Sequence, residues 1–192
     1  MIIYQPLTAN IHQFVEFWSP RYRYPEENLY EENIGRELTQ RRILDLYRWK
    51  NGTRLSARKR DSVLHNFVRR RRELAHLELT EYVNVLLRDI FTDGGAIWRI
   101  FWLHCWQSLR FPIYDQHVHR AMTFIQTGVA MEISNYDPRT INSYITSYMP
   151  FHATFAGIDG RDVDKALWAF GKFIKVSNFL AIAQNDKVAE FG

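Results

Sequence analysis

An all-α fold is predicted by three features of the sequence. Apolar residues recur at three- and four-residue spacing in several separate stretches, glycines and prolines that stop helices fall between them, and nothing beyond Met1–Tyr4 alternates in the manner of a strand. The chain has 192 residues, 46% hydrophobic and 15% aromatic, which suffices for one domain with a core and excludes disordered and collagen-like chains. A single helical domain over 1–192 is therefore expected. Within it, residues 1–55 read as an irregular helical segment and 56–192 as a helical core with a hairpin turn near 92–95.

Between Ile11 and Tyr47, Pro20, Pro25 and Gly35 divide the chain into short helical pieces. Leu38, Ile43, Leu44, Leu46, Tyr47 and Trp49 form a loose stripe that Asn51-Gly52 ends. Ser56 is expected to cap a helix running to about His76, with Val63, Leu64, Phe67, Val68 and Leu74 on its buried face. Thr80 and Glu81 open the next, which closes in Thr92-Asp93-Gly94-Gly95. Ala96–Leu109 is apolar around its whole circumference and reads as a central buried helix ending before Phe111-Pro112. Asp115 caps Gln116–Thr127, which Gly128 terminates. Asp137-Pro138 starts a helix that reaches Met149 and is closed by Pro150. A last helix begins near Gly160 to Asp162 and carries Val163, Ala166, Leu167, Phe170, Phe173 and Ile174.

The run from Ala96 to Leu109 is too short to cross a bilayer, which needs about 20 residues, and Arg99, His104 and Gln107 interrupt it. The N-terminus shows no secretory leader, so a cytoplasmic location is expected. Cys105 is the only cysteine, which excludes an internal disulfide and a multi-thiolate zinc site. His117 and His119, two apart, fall on different helix faces, so no metal is expected. No cofactor is indicated either.

The net charge of +4 is unevenly distributed. Residues 36–72 carry thirteen basic and three acidic side chains, a local charge of +10, and the rest of the chain is net acidic. Nineteen of the 25 basic residues are arginine, whose planar fork matches phosphate oxygens in pairs. A segregated block of this kind concentrates polyanions, and Arg58, Lys59, Arg60, Arg69, Arg70, Arg71 and Arg72 are the candidate contacts to nucleic acid. The plainer reading is a solvated helix face. Four consecutive arginines sweep about 300° around a helix, so at least one of 69–72 lies along the protein.

Helix, glycine turn, helix, loop and aspartate-capped helix follow one another from Glu81 to Met131, with Asp115-Gln116-His117-Val118-His119-Arg120 at the last helix head. Over these residues the chain resembles the helix-hairpin-helix DNA glycosylase superfamily, and Pro112-Ile113-Tyr114-Asp115 is similar to its 8-oxoguanine glycosylase branch. The resemblance implies a glycosylase-like helical fold and a DNA partner contacted by Gly94, Gly95, His117 and Arg120. It also implies that Asp115 stabilises positive charge developing on the deoxyribose or activates water for hydrolysis of the N-glycosidic bond. Lys165–Lys172 looks like the closing helix of such proteins, with Gly171 permitting close helix contact. Two departures bear on the chemistry. Where strand-cutting members place a lysine nucleophile, this chain has Ala96-Ile97-Trp98-Arg99, and arginine cannot form a Schiff base, so activity would be monofunctional. Asp93-Gly94-Gly95 replaces the usual Gly-x-Gly.

Asp115 is equally suited to an ordinary N-cap, and Gly94-Gly95 to any tight connection. Trp98, Trp102 and Trp106 read as core. Phe17, Trp18, Tyr22, Tyr24 and Tyr30, interleaved with Arg21 and Arg23, form either a stacking platform for bases or a cap on the domain. The alternative to an enzyme is a catalytically inactive nucleic-acid or protein interaction module. A helical protein with a small-molecule pocket is the third reading.

Overall fold

The structure, a computed structural model, describes residues 10–77 and 82–189, the last fourteen by their backbone only. It is all-helical, with no strand among the described residues. The strand considered for Met1–Tyr4 and the helix start at Thr80 and Glu81 lie outside the described residues. Among the described residues no helix is long and apolar enough to cross a membrane. Two compact units can be separated. One holds the described residues up to Tyr22, Asp115–Ile133 and the described residues from Phe151 onward; the other holds Arg23–Tyr114 and Ser134–Pro150.

The first unit is built from α1 (Ile11–Trp18), α7 (Gln116–Thr127) and α10 (Gly160–Ala189), with α10 packed on both of the others. Asn10 caps α1 by accepting from the His12 amide, and Asp159 Oδ1 does the same for Arg161 and Asp162 at the head of α10. Phe14 meets the edge of Phe170 at 5.4 Å, and Trp18 lies 5.1 Å from the same ring. The α7–α10 contact is closest at Gly171, where a Cβ would stand 1.9 Å from the His117 carbonyl oxygen. Only hydrogen fits there, in keeping with the expectation of close helix contact at this glycine.

The second unit contains α2 (Glu27–Glu31), α3 (Gln40–Asn51), α4 (Ala57–Val63), α5 (Val83–Val85), α6 (Ala96–Trp106) and α8 (Asp137–Ser143), and α9 (Met149–Ala153) follows on from it. Gly52 ends α3 in the left-handed region at φ 72°, and Ser56 caps α4 by accepting from the Lys59 amide. Arg99 to Cys105 of α6 are all buried, as expected of a central helix. Burying Ile100, Phe101, Trp102 and Leu103 contributes on the order of 1.5–3 kcal/mol each. Tyr47 of α3 stacks on Phe67 at 4.7 Å and donates its hydroxyl hydrogen to the Trp98 carbonyl at 3.0 Å.

Four elements differ from expectation. The helix from Ser56 does not run unbroken to His76: α4 widens into a π turn over Leu64–Val68, passes through turns, and resumes as a 3-10 turn over Glu73–His76. The Arg69 amide reaches five residues back to the Leu64 carbonyl, and Arg70 departs to meet Glu73, Asp93 and the Ile90 carbonyl. α6 ends at Trp106 and not at Leu109, because the buried Phe111 needs an extended approach before Pro112, and the Arg110 and Phe111 amides turn back onto the Gln107 carbonyl. That turn leaves Leu109 fully exposed. Asp137 is the first residue of α8 and not its cap. Pro150 does not close the helix either: a third π turn, Tyr144–Tyr148, precedes α9, which carries Pro150 as its second residue.

Candidate functional site

Asp115 stands in extended backbone immediately before α7 and is part-exposed. Its Oδ1 accepts from the amides of His117 at 2.8 Å and Val118 at 3.1 Å, two of the four donors that a helix start leaves without an intrahelical partner. The cap therefore fixes the carboxylate plane and adds the partial positive charge of the helix end beside it.

The neighbours on α7 are drawn inward. Arg120 is 3% exposed and grips Glu132 with both arms of its fork, at 2.9 and 3.1 Å. Its third contact is to Nδ1 of His117 at 3.2 Å, and the His117 ring lies 4.9 Å from Trp168 of α10. Burial holds the His117 imidazole below its usual range; Asp115 opposes that shift, while Arg120, Lys172 and Lys175 add to it. Burial likewise depresses His119, and Arg120 keeps Glu132 below the ordinary carboxylate range. His117 and Arg120 thus belong to a neutral-imidazole, paired-guanidinium arrangement on α7. Glu132 escaped the sequence reading because only the loop after Gly128 folds it back across twelve positions.

The basic block lies in the other unit. Arg54, Arg58, Lys59 and Arg60 are exposed, and among the described residues no carboxylate forms an ion pair with them; Lys59 donates only to Asn51 Oδ1, at 2.6 Å. Of the four consecutive arginines, Arg69 and Arg72 are exposed, Arg71 donates to the Val68 carbonyl, and Arg70 is committed to Glu73 and Asp93. Arg70 is thus the one that lies along the protein. Gly94 and Gly95 are both exposed, Gly94 at φ 87°, and Asp93 beside them is held at 3.3 Å by Arg70.

No model of a known family, no curated protein and no solved structure matches this chain. The remaining assignments therefore rest on local chemistry. Arg99 is buried; it donates to the carbonyls of Leu87, Phe91 and Thr92 and pairs with Asp137 at 3.1 Å. It fastens the turn that leads into α6. The aromatic residues near the N-terminus are used in packing: Tyr22 lies 5.1 Å from Trp168, Tyr24 donates to the Trp49 carbonyl, and Tyr30 meets His104 at 2.8 Å. Phe17 is the exposed exception, with the Arg21 guanidinium 3.6 Å above its ring. His104 Nδ1 must donate to the Phe111 carbonyl, 2.7 Å away, so its Nε2 accepts from Tyr30 and the ring serves structure. Among the described residues no group of three or more His, Cys, Asp or Glu could hold a metal ion.

Proposed function

We propose that this protein binds nucleic acid through the exposed cations that precede and open α4. The observation that carries this reading is the contrast among its arginines. Arg70, Arg99 and Arg120 each have a carboxylate partner, whereas Arg54, Arg58, Lys59 and Arg60 stand in solvent with none among the described residues. Exposed guanidinium groups without a protein counterion neutralise phosphates and release the cations condensed on the nucleic acid, a gain that declines as salt rises. Fluorescence anisotropy with labelled duplex and single-stranded DNA at stepped salt tests the reading. Three lost phosphate contacts in R58A/K59A/R60A should reduce the slope of log K against log salt by about 2–3. A binding constant indifferent to salt, or to that triple substitution, overturns it.

The second reading is hydrolysis of an N-glycosidic bond at Asp115, favoured by the part exposure of a carboxylate whose plane two amides hold. Such a group can stabilise an oxocarbenium-like sugar or orient water towards it. Resemblance over Glu81–Met131 supports this reading, and Arg99 in place of lysine restricts it to hydrolysis without strand scission. Asn is as good an N-cap as Asp, so D115N removes the charge and keeps the helix start. Loss of base release from damaged duplexes in D115N supports catalysis; equal release by both proteins for every lesion leaves the binding reading alone.

A further inference from the structure

An open surface groove of about 440 Å³ lies beside α8, in the unit that also holds α6. One wall is a single stripe of the helix and its π-turn continuation, Arg139, Asn142, Ser143, Thr146 and Ser147, and Arg88 from the turn after α5 faces it. Ligand cavities of this size are as a rule lined by apolar side chains. Here guanidinium, amide and hydroxyl groups share the lining equally with apolar atoms, and no carboxylate lines the space to neutralise the two arginines. Arg88 donates to Asn142 Oδ1 at 3.4 Å, which leaves the Asn142 amide nitrogen as a donor. Thr146 is not a donor, because its hydroxyl hydrogen goes to the Asn142 carbonyl at 2.8 Å.

We propose that this groove binds a phosphate group, with Arg88 and Arg139 supplying charge and Asn142 supplying a neutral donor. Arginine suits this task because its fork meets two phosphate oxygens at once. The phosphate is either a free monoester or the end of a nucleic-acid strand. The inference does not depend on the cationic face of α4, since none of these residues belongs to it.

Titration with inorganic phosphate, followed through the side-chain Nε–H resonances of Arg88 and Arg139, tests the proposal. Both signals should shift saturably, and R88Q or R139Q should each weaken binding by roughly tenfold, the loss of one charge-assisted pair. Both arginines are exposed, so the variants retain the fold, which circular dichroism checks. Duplex affinity at α4 should stay as in the wild type, and R58A/K59A/R60A should leave the phosphate shifts intact, which separates this site from the nucleic-acid reading. Tighter binding of a 5′-phosphorylated oligothymidylate than of its 5′-hydroxyl form assigns the strand end; equal binding, with phosphate still saturating, assigns a free monoester. Absence of a saturable shift, or calorimetric affinity for inorganic phosphate undiminished in R88Q/R139Q, overturns the proposal.

Discussion

At the scale of single residues, the most consequential pair is Arg120 with Glu132. A buried guanidinium deprived of its counterion is costly, but Glu132 is 68% exposed, so solvent takes over part of the lost interaction. E132Q should therefore destabilise by about 1–2 kcal/mol in urea denaturation, well short of the effect of breaking a fully buried pair. The two histidines nearby set an acid limit. The pKa values of their imidazoles are depressed in the folded chain, so below the ordinary imidazole value of 6.5 the unfolded chain takes up protons that the folded one resists, and stability falls. Glu132 acts in the opposite sense to a depressed base, contributing above 4.5 and losing that contribution only in stronger acid. H117Q/H119Q should consequently flatten the drop in Tm between about pH 7 and pH 5, a window in which Glu132 stays ionised. A drop as steep as that of the wild type would place the acid sensitivity elsewhere. The capping role of Asp115 could be read from sequence, because a cap is decided by residues two and three positions on. The engagement of Arg120 could not, because its partner arrives from beyond a loop.

At the scale of elements, glycine positions discriminate sharply between tolerated and forbidden side chains. Gly171 has the His117 carbonyl where a methyl would go, so G171A should cost at least the upper part of the ~1–3 kcal/mol typical of overpacking, by forcing α7 and α10 apart. Gly95, at φ −69° with nothing within 4 Å of a Cβ, should accept alanine with a change of under about 0.5 kcal/mol. Thermal denaturation of the two variants side by side checks both, and equal effects would contradict the packing described. Helix starts and stops governed by local chemistry, Ser56, Gly52, Asp115 and Gly128, were legible in the sequence. The π turns after α4, α5 and α8 were not, since each depends on what the widened turn meets in space. Arg99 shows the same limit: a lone cation in an apolar helix gives no hint that it will gather three carbonyls and Asp137.

For the whole molecule, the pairing of charges separates structural from available cations, and net charge alone did not show which arginines were which. The lone thiol reports on global integrity. Cys105 is 3% exposed and burial pushes its pKa far above the usual thiol range, so it is a poor nucleophile in the native state. Its modification by an aromatic disulfide reagent should be immeasurably slow in buffer and become rapid only across the cooperative unfolding transition in urea; rapid labelling without denaturant would mean that α6 opens locally. The arrangement of α1, α7 and α10 has a consequence for biosynthesis. α1 leaves the ribosome long before α10, and at roughly 5–20 residues per second the interval is on the order of ten seconds. Throughout that time Phe14 and Trp18 lack the partner that covers them, so nascent chains halted before Gly160 should be chaperone clients and insoluble when released.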